Sequence, residues 1–210
     1  MPGRLADVTG VAAGYLIGSV PIGVLLGRTI RGMDVREHGS HSMGTTNVLR
    51  LVGPSAAATT FALDVAKGSA AVLVARKLGA DRKGQAAAAF SAMVGHAWPA
   101  FAGFRGGKSV ATGFGGMLAL TPWGSATAVA GGLTALFATR IVSVGSLTAA
   151  TSSMVGAAIQ SKRTGDPAPL AFAASATALI AVRHSANIGR LLRGEEPRVS
   201  LKRKRTTTPS

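Results

Sequence analysis

Four stretches of this sequence carry no charged side chain: residues 8–27, 84–104, 109–139 and 141–161. About 20 helical residues cross a hydrocarbon core of roughly 30 Å, so uncharged runs of 18 or more are candidate membrane spans. A soluble domain of 210 residues has no use for four of them. The rest of the chain is strongly basic, with 23 Lys and Arg against 8 Asp and Glu. Charge alone would suggest a nucleic-acid partner. Its exclusion from the long runs, and the lack of an aromatic platform beside the basic tail, argue against one. Mean hydropathy is a modest +0.34 because Ala, Gly, Ser and Thr are abundant, and such small residues let membrane helices approach closely. The expected fold class is therefore all-α, a polytopic integral membrane protein.

Two weaker runs add to the four. Residues 55–75 are interrupted by Asp64 and Lys67, and residues 167–182 are short but uncharged. Asp64 and Lys67 lie three apart on one helix face, where they either pair or look into a polar interior. The run 109–139 is too long for one helix, and Thr121-Pro122-Trp123-Gly124 reads as a turn that divides it. This partition predicts seven membrane segments. Run 8–27 exceeds a typical signal-peptide core, lacks a clear cleavage site and precedes Arg28, Arg31 and Arg36, so it reads as a retained span. With the N-terminus outside and the C-terminus cytoplasmic, 15 of the 23 Lys and Arg fall on the inner side. The cluster from Arg76 to Lys83 runs against that bias. Residues 1–197 read as one membrane-embedded domain, and 198–210 as a basic cytoplasmic tail that anchors topology near anionic lipid.

Three polar, glycine-bearing clusters fall on the predicted inner face. The first, DVREHGSHSMGTTNVLR, holds Arg36, Ser40, Asn47 and Arg50. Backbone N–H groups, hydroxyls and guanidinium together suit an anionic, oxygen-rich ligand; a solvated inner loop with a Thr or Asn capping the next helix is the alternative. The second, GHAWPAFAGFRGGKSVAT, places Gly106 and Gly107 before Lys108, where backbone donors and a cation can meet phosphate. Its ending GKS is not a P-loop, because Ala102 stands where the first glycine is needed and no strand precedes it. A tight helix connector is the alternative here, and His96 reads equally as a buried, hydrogen-bonded histidine. The third, AVRHSANIGRLLRGEEPR, puts His184 and Asn187 on one helical face near Arg183 and Arg190; an amphipathic interface helix without chemistry is its alternative. Ser143 and Ser146 can add hydroxyls.

Some chemistries are excluded. Without cysteine there is no disulfide, thiolate metal site or Cys nucleophile. His38 and His41 lack a convincing ligand set, so no metal is expected. None of the four histidines has Asp five residues on, which rules out the His-x4-Asp acyltransfer dyad in its usual form. A small-solute transporter using Asp64 and Lys67 is the rival from another class.

In order along the chain, GSVPIGVLLGR, REHGSHSMGTTNVLR, LDVAKG, GHAWPAFAGFRGGKSVAT and RHSANIGRLLRGEEP resemble the motif series of the bacterial membrane glycerol-3-phosphate acyltransferases that use acyl phosphate. The resemblance implies seven transmembrane helices, a site facing the cytoplasm of the bacterial inner (plasma) membrane, and membrane lipid as surroundings. It implies transfer of a fatty acyl group from acyl phosphate to the sn-1 hydroxyl of glycerol 3-phosphate, giving lysophosphatidic acid, with no cofactor and as a monomer. By it, Ser40 and Arg50 match the essential serine and arginine of the first motif. Gly106, Gly107 and Lys108 match the phosphate-binding loop, His184 and Asn187 the active-site pair, and Glu196 a structural glutamate; Ser146 and His96 are further matches. Two positions depart from the pattern. His41-Ser42 stands where the family usually has Gly-Asn, and Ser109 where it has glycine, so a divergent paralogue with a changed acceptor is an alternative reading.

Overall fold

The computed structural model describes residues 2–199; the basic tail expected from 198 onward therefore lies almost wholly outside the described residues. The described chain is all helical. Its α-helices are α1 (Pro2–Gly18), α2 (Ile22–Arg31), α3 (Thr45–Leu51), α4 (Pro54–Lys77), α5 (Arg82–Ala97), α6 (Val110–Leu120), α7 (Pro122–Thr139), α8 (Val142–Thr164), α9 (Ala168–Arg183) and α10 (Ser185–Leu192), with short 3-10 turns at Val35–Glu37 and Ala100–Ala102. Three stretches are long and apolar enough to cross a membrane by length and composition: Gly3–Arg31, Pro54–Lys77 and Val142–Thr164.

Each apolar run of the sequence coincides with a helix or a helix pair, because a chain in hydrocarbon must satisfy its backbone internally. The Thr121–Gly124 turn separates α6 from α7, with Pro122 at the first turn of α7 and Thr121 Oγ1 accepting the Gly124 N–H at 3.1 Å. One boundary differs from expectation. Run 8–27 is not a single helix: Pro21 has no N–H to continue α1, and the chain restarts as α2, which carries Arg28 and Arg31 in its last turn. Lys67 Nζ donates to the carbonyl of Val20 at this break, at 3.1 Å.

The packing is the inverse of a soluble core. Buried positions are mostly Ala and Gly, while Leu5, Val8, Leu16, Leu73, Phe137 and Val155 face outward, as lipid-facing residues do. Helix α1 lies against α4 and α5. Close approach requires glycine there: a Cβ on Gly14 or Gly18 would run into the backbone of Ala88 or Ala92 in α5.

The contrary cluster of cations at the other end of the molecule has a structural cause. Helix α6 is only 11 residues long, and its last carbonyls need donors. Arg82 Nη2 and Gln160 Nε2 each reach the Leu120 carbonyl at 3.0 Å, Arg76 Nη2 reaches Ala119 at 3.3 Å, and Arg82 also pairs with Asp166 at 2.8 Å. Arg76 and Arg82 therefore satisfy a helix end and carry less weight as orientation signals.

Candidate active site

At the opposite end the three polar clusters converge on one cavity of about 800 Å³, closed by the starts of α3, α6 and α8 and by the α9–α10 junction.

The first cluster folds around Asn47. Helix α3 begins at Gly44 with no side-chain cap, so the expected Thr or Asn cap does not form. Asn47 is buried instead. Its Nδ2 donates to the carbonyls of Val35 at 2.7 Å, Ser42 at 2.8 Å and His38 at 3.2 Å, and its Oδ1 accepts the Ser40 N–H at 2.9 Å. An amide so engaged shapes the loop and has no N–H left for an anionic ligand, although Asn47 stands in the cavity wall. Arg36 is likewise diverted. It grips Asp34 through Nε and Nη2, at 2.9 and 2.7 Å, and donates to the carbonyls of Ala102 and Arg105 at 2.5 and 3.1 Å. This fastens the first cluster to the second and keeps Arg36 out of the cavity wall; its guanidinium holds the Asp34 carboxyl well below the usual carboxylate range. Ser40 and Arg50 remain exposed on the wall, and neither side chain has a hydrogen-bonded partner among the described residues.

In the second cluster Gly106 faces the cavity, but Gly107 does not. The Gly107 N–H donates to the His96 carbonyl at 3.0 Å, and its carbonyl accepts from Arg183 Nε at 3.0 Å. A Cβ at this position would strike His96 Nε2, so glycine serves close packing here. Lys108 donates to Asn187 Oδ1 at 2.5 Å. Burial pushes its ammonium down to about 8, and the Arg190, Arg50 and Arg183 charges add to the effect while Glu196 opposes it. His96 matches the buried reading: its Nδ1 accepts from Lys67 Nζ at 2.9 Å.

Both departures from the family's glycines fall on left-handed backbone, with φ of 53° at His41 and 61° at Ser109. For an L-residue this conformation costs roughly 1–2 kcal/mol. Ser109 is compensated by a buried hydrogen bond from Oγ to the Met93 carbonyl at 2.7 Å, whereas exposed His41 has only Nδ1 at 3.1 Å from the Arg36 carbonyl. His41→Gly is expected to stabilise the protein by about 0.5–1 kcal/mol, net of glycine's larger unfolded-state entropy. Ser109→Gly is expected to gain nothing. Thermal unfolding in detergent checks both, and a lower midpoint for His41→Gly would refute the strain argument.

In the third cluster His184 sits between α9 and α10, 2% exposed, with Nδ1 at 2.8 Å from the Ile180 carbonyl. A carbonyl only accepts, so the ring proton is on Nδ1 and Nε2 keeps its lone pair. Burial drives the imidazole pKa down to about 4, and the Lys108 and Arg183 charges act in the same direction. Asn187 bridges Lys108 to Glu196, donating from Nδ2 to Glu196 Oε1 at 2.5 Å. Glu196 also accepts from Ser143 Oγ and Arg190 Nε, both at 2.7 Å, and so clasps α8, α10 and the segment after α10. Burial raises its carboxyl pKa, but these three donors outweigh burial and leave it lowered. Ser146 lines the same wall with its hydroxyl donating to the Val142 carbonyl at 3.0 Å.

A family profile described as glycerol-3-phosphate acyltransferase matches residues 8–194. The chain belongs to the glycerol-3-phosphate acyltransferase family. It is 47% identical over 197 residues to the glycerol-3-phosphate acyltransferase of Anaeromyxobacter sp. (strain Fw109-5), covering 90% of this chain and 94% of the relative. It is 42% identical over 201 residues to that of Synechococcus sp. (strain CC9902), covering 95% and 98%. Among solved structures it is similar to PlsY (YgiH), an integral membrane glycerol 3-phosphate acyltransferase, in its glycerol 3-phosphate form, with a TM-score of 0.84 and 33% identity over 92% of this chain and 96% of that one. The lysophosphatidic acid form of the same protein gives a TM-score of 0.81, again at 33% identity, over 92% and 95%. This acyltransferase is thus an enzyme of phospholipid synthesis and an integral membrane protein with multiple spans.

Two residues of this cavity carry a weaker signal in the sequence than their place in it warrants. Arg183 was notable only as a neighbour of His184, yet it holds the Gly107 carbonyl and lies over the Trp98 ring at 5.2 Å. Asp64 read as a span charge, and it proves to line the cavity.

Proposed function

We propose that this acyltransferase moves a fatty acyl group from acyl phosphate to the sn-1 hydroxyl of glycerol 3-phosphate, releasing phosphate and lysophosphatidic acid at the cytoplasmic face of the bacterial plasma membrane. The observation that carries this reading is the convergence of Ser40 and Arg50, Lys108, and His184 and Asn187 on one cavity, from three clusters far apart in the sequence. PlsY, with which the chain shares its fold, has been crystallised with glycerol 3-phosphate and with lysophosphatidic acid.

Acyl phosphate is a mixed anhydride whose phosphate leaves readily, so no covalent enzyme intermediate is required. What the protein must supply is position and charge neutralisation for two phosphate groups held close together. Arg50 is a cation with no partner among the described residues, and Lys108 is oriented by Asn187 and Glu196 rather than neutralised by direct contact with a carboxylate there. The acceptor hydroxyl attacks the carbonyl carbon, the bond to the phosphate oxygen breaks, and the hydroxyl proton passes to the leaving phosphate. His184 lines the cavity wall and orients the acceptor without holding that proton. An imidazole held near 4 gives little driving force for taking the proton outright. The acyl chain lies on the apolar side of the cavity, toward Phe61, Val110 and Val182. No cofactor takes part, and the monomer carries the whole site.

The same reading uses seven membrane segments with the N-terminus outside. Single cysteines introduced into this cysteine-free chain at Ser42 and Asp81 are expected to label from the cytoplasm and from outside, respectively. Labelling of Ser42→Cys from outside in intact cells would place the site on the wrong face. The donor is tested with purified protein, glycerol 3-phosphate, and either palmitoyl phosphate or palmitoyl-CoA. Strong preference for palmitoyl phosphate is expected, and comparable rates would overturn the assignment.

A further inference from the structure

Glutamate and aspartate each contribute one carboxylate to the cavity wall, Glu196 and Asp64, and the two are in opposite condition. Glu196 is saturated by Ser143, Asn187 and Arg190. Asp64, in the middle of α4, is 2% exposed, and its Oδ1 is buried away from the cavity. Lys67 Nζ stands 2.9 Å from that oxygen and, with three N–H groups, serves it together with the Val20 carbonyl and His96 Nδ1. His96 Nδ1 is 3.5 Å from Oδ1, too far and already used. Oδ1 is thus paired and closed off inside the bundle, and Asp64 meets the cavity through Oδ2, which no hydrogen bond among the described residues engages.

We infer that Asp64 accepts a hydrogen bond from the non-reacting 2-hydroxyl of glycerol 3-phosphate and thereby orients the acceptor. This deepens the acyl-transfer reading above and rests on it. The rest of the wall is cationic, with Arg50, Lys108, Arg183 and Arg190, and attracts phosphate. A carboxylate among them repels phosphate and selects the opposite end of the acceptor. Acyl phosphate has no hydroxyl to offer. Glycerol 3-phosphate has two, one of which is consumed by acyl transfer, so the hydroxyl on C2 is the donor that stays in place from substrate to product. Holding it also keeps the 2-hydroxyl from competing as nucleophile. Lys67 acts through Asp64 as a positioning residue: its ammonium pairs with the carboxylate, and its bond to His96 ties the pair to the loop of Gly107.

The experiment uses the full-length protein in detergent with acyl phosphate as donor and compares glycerol 3-phosphate with 3-hydroxypropyl phosphate, which lacks only the 2-hydroxyl. Wild type is expected to prefer glycerol 3-phosphate by about 10-fold or more in kcat/KM, the range for a hydrogen bond to a charged group. Equal kcat/KM for the two acceptors overturns the inference without any variant. The double substitution Asp64→Leu with Lys67→Met removes both charges and leaves neither stranded. Its acceptor preference is expected to fall to less than about 3-fold, through a higher KM for glycerol 3-phosphate, with the acyl phosphate KM unchanged. A variant that retains the wild-type preference also overturns the inference, and Asp64→Asn repeats the measurement if the double variant does not fold. An Asp64 that served as base would lower kcat equally for both acceptors, which counts against the 2-hydroxyl role. Inactive wild type with both acceptors would defeat the acyl-transfer reading itself.

Discussion

Lys108→Ala is expected to lower kcat/KM for acyl phosphate by about 10- to 100-fold, the loss implied by removing a charged hydrogen bond to a phosphate dianion. Its ammonium is held at the cavity wall by Asn187 Oδ1. A pH signature accompanies the loss. The ammonium of Lys108 is held at about 8 by burial, so its cationic form predominates below that pH and is lost above it. For wild type, kcat/KM should therefore fall on the alkaline side with an apparent pKa near 8. Bound phosphate favours the ammonium, so the matching limb in kcat lies higher. Lys108→Arg keeps its charge at every accessible pH and should lose the alkaline limb, even if its broader head costs activity. Near wild-type kinetics for a folded Lys108→Ala, or an unchanged alkaline limb in Lys108→Arg, would remove Lys108 from phosphate binding.

The second large effect concerns proton transfer. His184→Gln is expected to reduce kcat by about 10-fold and by less than the hundredfold or more typical of a lost general base. The reason lies in the buried site, which holds the imidazole near 4 and fixes its proton on Nδ1 by the Ile180 carbonyl. The acidic limb of kcat should follow the donor phosphate, whose second ionisation lies at about 6, and should persist in the variant. Loss of that limb together with a drop of at least about a hundredfold would restore histidine as the base.

Hydropathy and the polar clusters carried most of the architecture because their physics is local. A run without charge, in a solvent that cannot hydrogen-bond to the backbone, has to be helical wherever it lies. Hence α4 to α9 follow the runs, Pro122 starts α7, and the pairing of Asp64 with Lys67 is legible from a spacing of three. The resemblance located Ser40, Arg50, Lys108, His184 and Asn187 on the same grounds of local pattern, and the cavity brings these residues together.

Hydrogen-bond partners were another matter, since they are chosen by proximity in space. Nothing in the string REHGSHSMGTTN says that the Arg36 guanidinium will meet a carbonyl 66 residues away at Ala102, or that Asn47 will close its own loop. Gly107 looks like a phosphate cradle until His96 arrives from α5 to occupy its N–H. The same holds for Arg76 and Arg82, which sequence counts as outward charges and the fold spends on the carbonyl end of a short helix. Sequence alone therefore determined where the chain is helical and which polar residues meet at one end. Tertiary structure alone decided which of those residues keep a free hydrogen-bonding group for substrate, because each donor and acceptor can be used only once, and the competing partners come from distant segments.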